Sequence, residues 1–202
     1  MRRSRDRIAG QVRSLLDAAL ELIAEKGDTS FTTQELAKQA GVALQTFYRY
    51  FASKDELLLA VIGDAMADAC ARWAAAGREL DDPLARLRLY ITSVLAGIPS
   101  AGRDDATARF IVSTRWQLHR VFPKELAAAE QPFVDLLAAE ITAARDAGLL
   151  RSADPCADAW YIAELTRAVY HYYAYAPARE GVAEGLWGFC LRALGGEAPA
   201  TS

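Results

Sequence analysis

Apolar residues recur at helical spacing along nearly the whole chain, and almost nothing alternates as a strand would. Val12, Leu15, Leu16, Ala19 and Ile23 form one stripe that Gly27 ends, predicting a first amphipathic helix. Leu36, Ala37 and Ala40 then share a face while Gln34, Glu35 and Lys38 face water, and Thr32 or Thr33 can cap this second, shorter helix. Gly41 follows the last periodic residue, where a left-handed backbone turn suits glycine, and Val42 can plug the gap to the next helix. Leu44 to Phe51 makes a third short helix. Phe47 and Phe51, four apart, turn inward and leave Gln45, Thr46, Tyr48, Arg49 and Tyr50 outside. Ser53 with Glu56 is a capping-box pattern, and Leu58, Val61, Ile62, Ala65, Ala69 and Trp73 carry a long fourth helix away from it.

Further along, Asp82-Pro83 opens a fifth helix with Leu84, Leu87, Ile91, Val94 and Ile98. A Ser-Ala-Gly loop follows, and a sixth helix runs to about Val121. Pro132, ahead of Phe133, Leu137, Ile141 and Ala144, either kinks one helix or starts another, with Gly148 at the far end. Asp154-Pro155 starts an eighth helix and Gly181 or Ala183 lies near the start of a ninth. The expected fold class is therefore all-α, about nine helices. An N-terminal three-helix domain with a basic arm (1–53) precedes a helical domain (54–202).

The eighth and ninth helices are apolar on more than one face. Tyr161, Leu165, Val169 and Tyr172 form one stripe beside a second of Trp160, Tyr170 and Ala174, while Val182, Leu186, Phe189 and Ala193 are flanked by Trp187, Leu191 and Leu194. A single core cannot cover both stripes, so a four-helix bundle shared by two copies is expected, with the first and third of these sets at the dimer interface.

Composition narrows the function. With 202 residues, 52% of them hydrophobic, the chain can bury a core and a smaller second one. Three widely spaced cysteines and the lack of an apolar run behind the first arginines predict neither a disulfide framework nor a secretory signal. No apolar run reaches membrane-helix length, so a cytoplasmic protein without a membrane partner is expected. A net charge of −3 argues at first against nucleic acid, but its distribution does not. Residues 1–60 hold nine Lys/Arg and eight Asp/Glu, leaving fourteen and eighteen for the rest, and Arg2, Arg3, Arg5 and Arg7 cluster at the start, where they can track phosphates. His119 and His171 are the two histidines, and neither metal-ligand spacing nor a glycine-rich phosphate loop occurs. No enzyme, cofactor or metal is expected.

The stretch from Thr32 to Leu59 has the spacing of a helix-turn-helix. At Thr32-Thr33, Leu36-Ala37, Ala40-Gly41-Val42, Thr46-Phe47-Tyr48, Phe51, Ser53-Lys54 and Leu57 it resembles the TetR family of bacterial transcriptional regulators, in order and without gaps. Two residues depart from that pattern. Ala43 stands where a serine usually caps the third helix, and Gln45 where the family has a small residue. The resemblance implies that Tyr48 and Lys54 touch DNA phosphates, with Thr33 doing so from its helix start beside Thr32, and that Leu44, Gln45 and Thr46 approach bases. Tyr50 lies near the backbone and Arg49 serves either purpose. The chemistry agrees, since a phenol or ammonium sets register whereas a glutamine can read one base edge.

The resemblance also implies a homodimer on a double-stranded DNA operator and an effector pocket in the second domain. Tyr90, Ile111, Arg115, Trp116, His119, Phe133, Leu137, Tyr161 and Leu165 are the expected lining for a small, largely apolar effector. A repressor is expected. The alternatives are an activator, or a regulator sensing oxidants through Cys70, Cys156 or Cys190, with Arg72 a basic neighbour of Cys70. The remote alternative is a helical enzyme in which the helix-turn-helix is structural.

Overall fold

A computed structural model describes residues 2–96, 106–177 and 179–197. Among them, regular structure is helical throughout: α1 (Arg2–Lys26), α2 (Thr33–Gln39), α3 (Leu44–Tyr50), α4 (Lys54–Gly77), α5 (Pro83–Leu95), α6 (Ala106–Val121), α7 (Pro123–Asp146), α8 (Pro155–Tyr173) and α9 (Val182–Ala193). The all-α expectation holds. Ile98 and the Ser-Ala-Gly loop lie outside the described residues. The arginine cluster is part of α1, whose helix begins at Arg2. Pro132 sits inside an unbroken α7, so the chain absorbs the missing N–H without ending the helix.

The helix ends follow local chemistry. Asp82 accepts from the Leu84 and Ala85 amides and Asp154 from those of Cys156 and Ala157, each with proline in the first turn. Gly41, with φ of 65°, makes the turn between α2 and α3 in the left-handed region.

Two compact units result: residues 1–65 with 106–129, and 66–105 with 130–202. Packing thus divides the chain differently from the 53/54 boundary drawn from the motif. In the first unit, Leu15, Leu16, Ala19 and Ile23 of α1 bury against Phe31, Leu36, Phe47 and Phe51. Leu57, Leu58 and Val61 of α4 complete that core, together with Phe110 and Leu118 of α6 and Leu126 of α7. Phe47, Leu15, Leu36, Leu57 and Leu118 are fully buried, each contributing about 1.5–3 kcal/mol.

The second unit packs Leu87, Tyr90, Ile91 and Leu95 of α5 against Phe133, Leu137, Ile141 and Ala144 of α7. Ala159, Ile162 and Ala163 of α8 and Leu186, Cys190 and Leu191 of α9 belong to the same cluster. Trp73 meets Phe133 edge-on, with ring centres 5.7 Å apart. Leu186 is a correction to the expected dimer stripe, since the side chain is buried in its own unit.

Candidate nucleic-acid interface

Helix α2 is capped at both partners of a box. The Thr32 hydroxyl accepts from the Glu35 amide, 3.1 Å, and the Glu35 carboxylate accepts from the Thr32 amide, 2.7 Å, and from Lys26, 2.9 Å. The Thr32 amide first, then Lys26 and the Thr32 hydroxyl, hold the exposed Glu35 carboxyl down at about 2. Helix α3 begins without such help. Ala43 offers no side-chain cap, and the start is closed by backbone bonds alone, from the Thr46 amide (2.8 Å) and the Phe47 amide (3.4 Å) to the Ala43 carbonyl. The missing cap forgoes about 0.5–2 kcal/mol.

Other contacts hold α3 in place. Phe47 is buried beneath it and stacks edge-on with Tyr48 at 5.1 Å. The Tyr48 hydroxyl lies 3.3 Å from the Thr33 hydroxyl, linking α3 to the start of α2. On the far side the Tyr50 hydroxyl donates to the side-chain oxygen Oε1 of Gln11 on α1, 2.7 Å, and Arg49 donates to the same oxygen, 3.1 Å, with its guanidinium over the Tyr50 ring. What remains outward on α3 is Gln45, exposed, beside Tyr48, which is 54% exposed, with Leu44 and Thr46 half-buried.

Lys54 lies elsewhere in this network than a purely phosphate-facing lysine would. Its ammonium donates to the carbonyls of Thr29 (2.6 Å) and Phe31 (3.1 Å) and stands 5.1 Å from the Phe31 ring centre, bracing the loop between α1 and α2. Ser53 accepts from the Glu56 amide as the capping pattern predicts, but the Glu56 carboxylate takes the Ala52 amide rather than that of Ser53.

One residue that supports α3, Gln11, lies outside the motif. Gln11 occupies the inward stripe of α1, four residues before Leu15, and a polar residue on such a stripe is itself a signal that something polar must meet it.

Residues 15–61 match the family model for bacterial regulatory proteins of the tetR family. That segment is a TetR-family domain. The fatty acid metabolism regulator protein of Bacillus subtilis (strain 168) is 36% identical over 86 residues, 41% of this chain and 44% of that protein. The matched segment thus spans under half the length of that relative. Over nearly the full length, the fatty acid degradation regulator FadR of Bacillus halodurans superposes with a TM-score of 0.72, 18% identity, 93% of this chain and 97% of that one. Thermus thermophilus FadR, a TetR-family transcriptional repressor solved with lauroyl-CoA, gives a TM-score of 0.68 and 24% identity, covering 95% and 99%. At those identities the likeness is one of fold.

The expected effector lining divides between the two units. Tyr90, Phe133 and Leu137 are core residues of the second unit, while Ile111, Arg115, Trp116 and His119 lie on α6 in the first, where Trp116 is 65% exposed and faces His119 ring to ring. Tyr161 and Leu165 line a shallow cleft of about 210 Å³ between α8 and α9, with Phe189 and Ala193. Phe133 and Leu137 are buried in the second unit's own core. Of the cysteines, Cys156 is exposed, while burial pushes the Cys70 and Cys190 thiols up to about 11, away from the thiolate an oxidant would attack.

Proposed function

We propose that the chain is a ligand-responsive transcriptional repressor that binds a pseudo-palindromic operator as a homodimer and leaves it when a small effector binds. The observation that carries this reading is the outward face of α3, where Gln45 and Tyr48 stand free of the core on a helix tied to α1 and α2. Such a face fits a major groove, with Tyr48, Thr33 and Lys54 toward phosphates and Leu44, Gln45 and Thr46 toward bases. The dimer is supported by the outer side of α8 and α9, where Tyr161 and Tyr172 are each 63% exposed and Phe189 54%. Three large aromatics in water on adjacent helices call for a partner, and a two-fold axis provides one. An acyl-bearing or otherwise largely apolar effector is supported by the lauroyl-CoA held by Thermus thermophilus FadR.

In this mechanism the effector binds more tightly to a conformation whose two α3 helices no longer match both half-sites. A hundredfold loss of operator affinity then requires about 2.7 kcal/mol of coupling. Selection of bound duplexes from a random pool is the direct test, and an inverted repeat is the expected product. Recovery of unrelated sequences, or of none, would overturn the operator reading. On the selected operator, Tyr48→Phe should weaken binding to all sequences alike, whereas Gln45→Ala should relax preference at one position per half-site. Equal effects from both would remove the division between phosphate and base contacts.

A further inference from the structure

The second unit contains a polar cleft of about 510 Å³ between the end of α4, the start of α5 and α7. Its floor is a fixed network. Arg86 donates through Nε to the Glu140 carboxylate, 2.8 Å, and through Nη1 to the carbonyls of Leu80, 2.7 Å, and Asp81, 3.1 Å. Nη2 has no protein partner among the described residues, so a guanidinium that cannot swing still has one amino group to give. Arg78 stands at the rim, exposed and without an ion-pair partner among the described residues, and Tyr90 lines the cleft beside Glu140.

Gly77 makes this arrangement possible. A Cβ there would collide with the Tyr90 hydroxyl and come within 3.0 Å of its ring carbon Cζ. The cleft exists in this form only because α4 has no side chain at that point.

Charge decides the ligand. Glu140 is paired with Arg86, which offsets its charge, while Arg86 Nη2 and the whole Arg78 guanidinium keep donors to spare beside the exposed Asp81. We propose that this cleft binds a small organic carboxylate, held between Arg78 and the free Nη2 of Arg86. Carboxylates suit guanidinium donors because both are planar and the bond is charge-assisted. Cleft volume fits a molecule of one ring or a short chain. The inference rests on reading the second unit as the ligand-receiving part and extends it, since the recognised group is anionic rather than apolar.

Benzoate and its uncharged isostere benzamide are the probes, titrated calorimetrically into the full chain. Benzoate should bind saturably and benzamide at least about tenfold more weakly, the ratio one charge-assisted bond supports. Arg78→Gln, an exposed change outside the core, should weaken benzoate by a similar factor and leave benzamide unaltered. Gly77→Ala should abolish the difference by displacing Tyr90, with circular dichroism verifying that it remains folded. Absent saturation by benzoate, equal binding of benzamide, or indifference to Arg78→Gln would each overturn the site. The operator experiment stands apart. An inverted repeat recovered without benzoate binding sinks this site alone, and benzoate binding without a repeat sinks the operator reading alone.

Discussion

Helices α2 and α3 are each seven residues long, pack together, and begin in opposite ways. The first has a reciprocal box at Thr32 and Glu35, so its start is satisfied by its own residues. The second starts at Ala43 with no side-chain help and is held instead by Phe47 from below and by Tyr48 and Tyr50 from either side. Seven residues are too few for a helix to persist alone, so each needs support. The contrast shows that α3 gets its support from side chains lying on or beside the surface a nucleic acid would meet. Folding and recognition there draw on the same groups.

The largest way to break this pair is Phe47→Ala. Removing a fully buried ring should cost about 3–5 kcal/mol, seen as a lower urea midpoint. A loss below about 1 kcal/mol would mean that the tyrosine tethers, not the core, hold α3. Next comes Thr32→Ala, expected to cost about 1–2 kcal/mol through the lost cap. The same box has a pH signature. Because the folded Glu35 carboxyl is held at about 2, below its ordinary 4.5, its contribution is complete above about 4.5 and disappears as pH falls toward 2. Thermal midpoints measured across that window should fall less steeply in Glu35→Gln than in the parent, and identical slopes would show that the box adds nothing. The smallest effect sharpens the comparison from the other side: Ala43→Ser should raise the midpoint by giving α3 the cap it lacks, up to about 1 kcal/mol. If nothing changes, the backbone bonds to the Ala43 carbonyl already suffice.

Much of the first unit was legible because its signals are local. Thr32 and Gly41 each act within three residues of where they stand, as Asp82 and Asp154 do in the second unit, and Phe47 with Phe51 declares an inward face by spacing alone. What the sequence hid depends on partners far along the chain. Nothing near Leu118 says that α6 joins the core of residues 1–65, nor does the stripe on α9 say that Leu186 turns into its own unit while Phe189 turns out. The aromatic ring of Tyr90 suggests a pocket residue. Its hydroxyl matters more, and the meeting with Gly77 and Glu140 is a fact of three-dimensional packing that no periodicity carries.

Lys54 gives the first unit a property beyond its fold. Two carbonyl dipoles hold its ammonium without cancelling the charge, so the four-carbon stem, which in a free lysine samples many rotamers, is already ordered before any anion arrives. An anion meeting that group does not have to still it. On the proposed reading of Lys54 as a phosphate contact, that pre-organisation would favour affinity, through the same loop contacts that join α1 to α2.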